Sequence, residues 1–389
     1  MTSEIRQRIY EGKFGEAHQM LESFEKRQDA TPTDHLVCQL LKGQILIKTG
    51  KYEEALKLAE KAFAKGKGMK CPLEMTDAYI IIASAFWHLG RYKETLESVK
   101  KGEEILKAIN QTEMSEPLSS ESDQHLHQMG TMIQQEPPSK IEARKASLIY
   151  YKGRTYWRQG DLDQALDCYI SSKRIFEQID AKQEIADALN SIGIIHWQKG
   201  NLNKALDFFQ GSLALRKQIG NKQDLGHSLN NIGSIFHRKG DWNQALEYYQ
   251  QALALRVVVG NKLDISRSLN NIGLVYKLKG KLDKALEYYK QSLTLREELG
   301  NKQDIAMTLN NIGSLYRDKG EVDRALTLYQ QSLALNEELG NKWDIAYVLN
   351  NLGEIYEQKG QFDRSLMSLR RSLALREEIG SKQEIANSL

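Results

Sequence analysis

The sequence predicts an all-α solenoid of stacked antiparallel helix pairs, about nine hairpins long. Three observations predict it. Lys-Gly pairs recur at Gly200, Gly240, Gly280, Gly320 and Gly360, 40 residues apart each time, and Gly160 holds the same register after Gln159. Apolar residues between these glycines follow the period of a helix rather than that of a strand. Only 5 prolines stand against 28 glycines, so the 389 residues read as one repeat array rather than as two or three globular domains.

Each element of the unit can be justified in turn. Residues 301–340 and 341–380 agree at 22 of 40 positions. Leu309, Ile312, Gly313 and Tyr316 share one face of a first helix. Gly320 ends it, since glycine takes a positive φ without penalty. Val322, Ala325, Leu326, Tyr329, Leu333 and Leu335 mark a second helix. Asp323 lies in its first turn, where a carboxylate suits the helix dipole, and Gly340 closes it. Such a pair cannot bury its apolar faces alone and must stack on its neighbours. Glycine inside a helix costs about 1 kcal/mol against alanine. Its recurrence at Gly153, Gly193, Gly233, Gly273, Gly313 and Gly353 therefore predicts a packing need. Ala325 and Ser332 are expected at the same close approaches, with Tyr316 and Tyr329 filling the complementary space.

The phrase Ile272-Gly273-Leu274-Val275-Tyr276, followed by Ala285, Tyr289 and Ser292, resembles the tetratricopeptide repeat. The common form of that repeat has roughly 34 residues and closes with a proline. Here the unit has 40 residues and no closing proline, which is more similar to the Pins/LGN polarity adaptors and, more loosely, to kinesin light chains. The resemblance implies a right-handed superhelix whose first helices line a concave groove for a partner protein or peptide.

Weaker copies precede the regular ones. Gly43 with Gly50 and Ala55, and Ala83 with Gly90 and Leu96, give divergent hairpins within residues 1–107. A half-copy, Gly12-Lys13-Phe14-Gly15-Glu16-Ala17, starts the chain. Six regular units follow at 141–380, and 381–389 begins a further first helix that stops midway. That last feature predicts either a truncated array or an end face that meets another copy. Between them, 108–140 carries Glu113, Glu116, Glu121, Asp123 and Glu136, with no Lys or Arg between Lys107 and Lys140. It is expected to be an acidic, flexible insert. Leu126, Met129 and Ile133 have the spacing of one short amphipathic segment within it. His125 and His127 lack the further ligands a metal would need.

Composition narrows the function classes. Net charge is +3, so the chain as a whole is not built to bind nucleic acid. Mean hydropathy is −0.54, and the longest apolar stretch, Tyr79 to Trp87, falls short of the roughly 20 residues of a membrane helix. Cys38, Cys71 and Cys168 form no CxxC pair, which predicts a reducing, cytoplasmic setting. No nucleophile elbow, phosphate loop, zinc-protease or calcium-loop motif occurs. The expectation is a non-enzymatic protein without cofactor or metal.

Candidate binding residues come from the first helices, on the side opposite the packing face. They are Arg154, Trp157 and Arg158, then Trp197 with Asp187. His227, His237 and Arg238 follow, then Arg267, Lys277 and Arg317. Basic residues dominate until Glu354 and Glu357. This pattern predicts a groove for an acidic, extended or helical peptide, with Trp157 and Trp197 as apolar anchors. The same positions also suit a solvated helix face. From the resemblance, Asn231, Asn271, Asn311 and Asn351 match an asparagine ladder that holds a bound peptide's backbone, while Ser191 and Tyr151 depart from it. The preceding row, Asn190, Asn230, Asn270, Asn310 and Asn350, is expected to bond between adjacent repeats. The alternative reading is a structural or self-associating scaffold that works through its terminal repeats.

Overall fold

The computed structural model describes residues 2–114 and 138–380. Every regular element among them is a helix, 18 in all, and consecutive helices pack as hairpins in series. Two compact units divide the chain between Ser228 and Leu229. The first unit opens with a short hairpin, α1 (Thr2–Tyr10) and α2 (Phe14–Glu25), followed by α3 (Pro32–Lys48) and α4 (Tyr52–Gly68). Next come α5 (Pro72–His88) with α6 (Tyr92–Met114), then α7 (Pro138–Arg158) with α8 (Leu162–Gln178). The regular pair α9 (Lys182–Gln198) and α10 (Leu202–Ile219) completes it, and the boundary falls inside α11 (Lys222–Arg238). The second unit continues with α12 (Trp242–Val259), α13 (Lys262–Leu278) and α14 (Leu282–Glu298). It ends with α15 (Lys302–Asp318), α16 (Val322–Leu339), α17 (Lys342–Gln358) and α18 (Phe362–Ile379).

Helix ends follow from the recurrent phrase. The turn glycines take positive φ, +78° at Gly320 and +67° at Gly340, where a Cβ would strain the backbone. The asparagine after the second glycine caps the next helix: Asn301 Oδ1 accepts from the Asp304 N–H (3.1 Å) and its Nδ2 donates to the Asp304 carboxylate (2.7 Å). One orphan backbone donor is thereby satisfied at the helix start, and the side-chain bond holds the cap in place.

Helix occupies both margins of the 108–140 segment expected as an insert. α6 runs on to Met114, and α7 starts at Pro138, where proline suits the first helical turn because its missing N–H would have had no partner. Between them, the acids, the Leu126–Ile133 segment and His125 and His127 lie outside the described residues, as does 381–389.

From Gly153 to Gly313 the recurrent mid-helix glycines meet an aromatic ring of the partner helix, and Gly353 meets Leu369. A Cβ on Gly313 would come within 2.9 Å of Tyr329, and one on Gly193 within 2.6 Å of Phe209. Ala325 and Ser332 are fully buried, and the Ser332 hydroxyl donates to the Ala306 carbonyl (2.8 Å). Between consecutive hairpins lies a feature that sequence reading missed. Arg256 buries its guanidinium and donates through Nη1 to the Asp264 carbonyl (3.0 Å) and to Ser268 Oγ (2.8 Å). Arg296 repeats this with the Asp304 carbonyl (2.8 Å) and Thr308 Oγ1 (2.5 Å). Arg216 does so in the first unit with the Asp224 carbonyl and Ser228. Burial lowers the pKa of Arg256 and Arg296. At Arg216 the same burial is outweighed by Asp187 and Asp224, and its pKa is raised.

Candidate functional site

In the first unit, the first helices α3, α5, α7 and α9 line two cavities that share Lys48, Tyr150, Tyr151 and Asp187. One, of about 280 Å³, is aromatic and basic: Trp87, Arg154, Trp157 and Tyr169 form its walls. Arg154 lies 3.5 Å over the Trp87 ring, and Arg158 stands 5.1 Å from Trp87 and 4.9 Å from Trp157. The rings screen these guanidinium groups on one side while the charge stays available on the other. Trp157 donates its indole N–H to Gln198 Oε1 (2.7 Å).

The second cavity, of about 180 Å³, is mainly apolar, and the first hairpin closes it with Ile9 and Tyr10. Tyr10 reaches 174 residues along the chain to donate its hydroxyl to Glu184 Oε1 (2.9 Å). Asn221 Nδ2 donates to the Tyr10 carbonyl (2.5 Å). The same amide's Oδ1 caps α11 through the Gln223 and Asp224 N–H groups. Glu184 is partly buried, and that burial raises its pKa. Beside it, Asp187 pairs with Arg216 Nη2 (2.7 Å).

Tyr151 and Ser191, where the asparagine ladder lapses, carry hydroxyl bonds instead. Tyr150 bonds Ser191 (2.9 Å), whose own proton goes to the Asp187 carbonyl, and Tyr151 donates to Ser84 (2.9 Å). Tyr150 and Ser191 are 41 residues apart. In the second unit the same separation joins asparagines: Asn271 Nδ2 donates to Asn230 Oδ1 (3.0 Å), Asn311 to Asn270 (2.9 Å) and Asn351 to Asn310 (2.8 Å). The two asparagine rows therefore form joint rungs. Asn270 and Asn310 are buried, and the ladder amides serve them with one N–H.

Several basic positions of the second unit are matched by acids one repeat on. Lys277 bridges to Asp318 (3.1 Å) and donates to Ser314 (2.6 Å). Arg317 contacts both Glu354 and Asp318. Arg267 stays half exposed, 3.8 Å from Asp264. His237 is partly buried, and burial, followed by Arg238, lowers its pKa. Trp197 lies half-buried on α9 and lines neither cavity, and Asn231 is half-buried on α11. Of the predicted residues, the structure thus brings Arg154, Trp157 and Arg158 together in the first unit, around Trp87. Trp87 was not among the expected binding residues because its hairpin is a divergent copy. Tyr10 and Glu184 carried no local signal at all.

Family profiles described as tetratricopeptide repeat match residues 145–218, 224–298 and 304–378, and a second such profile matches 40–101. No curated protein sequence matches the chain. Among solved structures, the apo form of the quorum sensor NprR from B. thuringiensis is similar at a TM-score of 0.66 and 16% identity. That match covers 96% of this chain and 97% of the other. A Rap protein complexed with Competence and Sporulation Factor matches at 0.57 and 12% identity, over 90% of this chain and all of the other. A signal-transduction ATPase with a tetratricopeptide repeat sensor, from Pyrococcus horikoshii, matches at 0.60 and 17% identity. This chain covers 54% of it, with 98% of its own length.

Proposed function

The chain belongs to the tetratricopeptide repeat family, and on that premise we propose that it is a non-enzymatic adaptor or sensor that holds a peptide segment in the first-unit groove. The single observation that carries this is the Arg154–Trp87 stack at 3.5 Å, beside Trp157 and Arg158. It gives a desolvated aromatic anchor next to positive charge, the pairing from which binding hot spots are built. Acid preference belongs here, where Lys48, Arg154 and Arg158 gather, rather than along the second unit, where Lys277 and Arg317 already face carboxylates. The complex between a Rap protein and Competence and Sporulation Factor is a case of ligand capture on a related fold. Unpaired Cys38, Cys71 and Cys168 suit a cytoplasmic setting. No helix among the described residues is long and apolar enough to cross a membrane.

The test is selection from a random peptide library, followed by titration of the selected peptides. Enrichment of acidic residues and about a tenfold loss on Arg154→Glu, close to 1.4 kcal/mol, is the expected result. Selection that ignores charge and survives both Arg154→Glu and Trp87→Ala would rule the groove out.

A second reading is self-association. On α18, Phe362 is 69% and Met367 74% exposed, more apolar surface than an isolated helix needs to show. Light scattering that reports a constant monomer mass at rising concentration would dismiss it.

A further inference from the structure

The smaller cavity of the first unit differs chemically from the groove beside it. Ile9, Ile47, Ile80, Ile81 and Phe176 make its walls apolar. An apolar cavity of about 150 Å³ is enough for a benzene ring, so about 180 Å³ admits one aromatic or branched aliphatic group. It is too small for a drug-sized molecule, which needs at least about 300 Å³. The polar end of the cavity is rich in acceptors. Glu184 and Asp187 both line it, against one base, Lys48. Asp187 is engaged by Arg216 (2.7 Å), and Glu184 receives a neutral donor, the Tyr10 hydroxyl. Gln183, 7% exposed and lining the same cavity, commits Nε2 to Asp224 (2.9 Å), and its Oε1 is buried without a donor. Even with Lys48 nearby, burial keeps the Glu184 carboxyl above its ordinary pKa. A partly buried carboxylate served by neutral donors, the Tyr10 hydroxyl and a backbone N–H, is relieved by a cation, and a cation bound to an apolar body also fills the isoleucine walls.

The geometry points to a subsite for an ammonium-bearing apolar group, its charge set at Glu184 and Gln183 and its body among Ile80, Ile81 and Phe176. This rests on reading the first-unit groove as a ligand site. Two sources share this chemistry: the N-terminal residue of a bound peptide, whose chain would run on toward Arg154, or a free small amine.

Calorimetric titration of the full chain separates them. The probes are phenethylamine, its N-acetyl derivative, and a pentapeptide that begins with phenylalanine and ends with aspartate, free or N-acetylated. The free peptide is expected to bind about tenfold more tightly than its acetylated form. Glu184→Gln, isosteric and checked by its melting curve, is expected to abolish that difference. Equal binding of both peptides overturns the ammonium subsite and leaves the groove reading intact. Binding of phenethylamine without either peptide, and without the acetyl derivative, keeps the subsite and removes the peptide groove. Binding of none of the four overturns both.

Discussion

Arg296 spends its guanidinium on the first two turns of the following hairpin, 2.8 Å from the Asp304 carbonyl and 2.5 Å from the Thr308 hydroxyl. Forty residues on, Asn336 stands in its place, and the partner position is Val348 rather than Ser or Thr. The arginine and its hydroxyl acceptor are lost together. Hydrogen bonds to a charged donor contribute about 1.5–3 kcal/mol each, and a stranded buried partner adds to the loss. Arg296→Met is therefore expected to cost about 2–4 kcal/mol, read as a lower denaturant midpoint. Asn336→Arg combined with Val348→Thr is expected to raise that midpoint, and Asn336→Arg alone to raise it less. If the single and double variants are equal, the hydroxyl is not part of the bond set.

Gly313→Ala sets two effects against each other. Helix propensity improves by about 1 kcal/mol, but the new Cβ would lie 2.9 Å from the buried Tyr329 ring. Overpacking of this kind costs about 1–3 kcal/mol, and the ring is fully enclosed. A net loss of about 1 kcal/mol is expected in chemical denaturation. A stabilised variant would show that the hairpin opens without penalty.

The asparagine rungs tie stability to the predicted ladder. Asn311→Ala removes the donor that serves buried Asn270. A buried acceptor left unpaired costs about 1–3 kcal/mol, so the melting temperature is expected to fall measurably. An unchanged melt would mean that the Asn270 amide finds water and that Asn311 is held for ligand use alone.

Glu184 gives the first unit a pH dependence with a definite sign. Its folded pKa lies above the ordinary 4.5, chiefly through burial. The folded state then holds a proton that the unfolded chain has released, so stability falls as pH rises from 4.5 through the raised value. Glu184→Gln removes that slope. The melting temperature of the variant relative to wild type is expected to climb as pH rises from 4.5 through that raised value. A flat difference would mean that Glu184 titrates as it does in the unfolded chain.

The fold was legible because its signals are local and repeated. Gly320, the Leu309–Tyr316 face and the mid-helix glycines each carry their reason within a few residues. The arginine bonds were not legible. In Leu295-Arg296, an arginine at the end of a helix reads as a solvated cation, and only the stacking of the next hairpin puts a carbonyl and a hydroxyl against it. The charges of the candidate site were half legible: Lys277 and Arg317 were visible, but Asp318 and Glu354 meet them across a repeat interface that no helical wheel of a single helix represents. Tyr10 and Glu184 lie 174 residues apart, and nothing near either one announces the other.

That contact changes how the first unit should come apart. A solenoid in which each hairpin touches only its neighbours unravels from an end, one hairpin at a time. The bonds from Tyr10 to Glu184 and from Asn221 to Tyr10 join an early hairpin to a late one and close the series into a ring. Losing any hairpin between them releases a long loop, so the hairpins share one fate. Amide exchange in α3 to α9 should then report a single opening energy, where an open series would show a gradient toward its end.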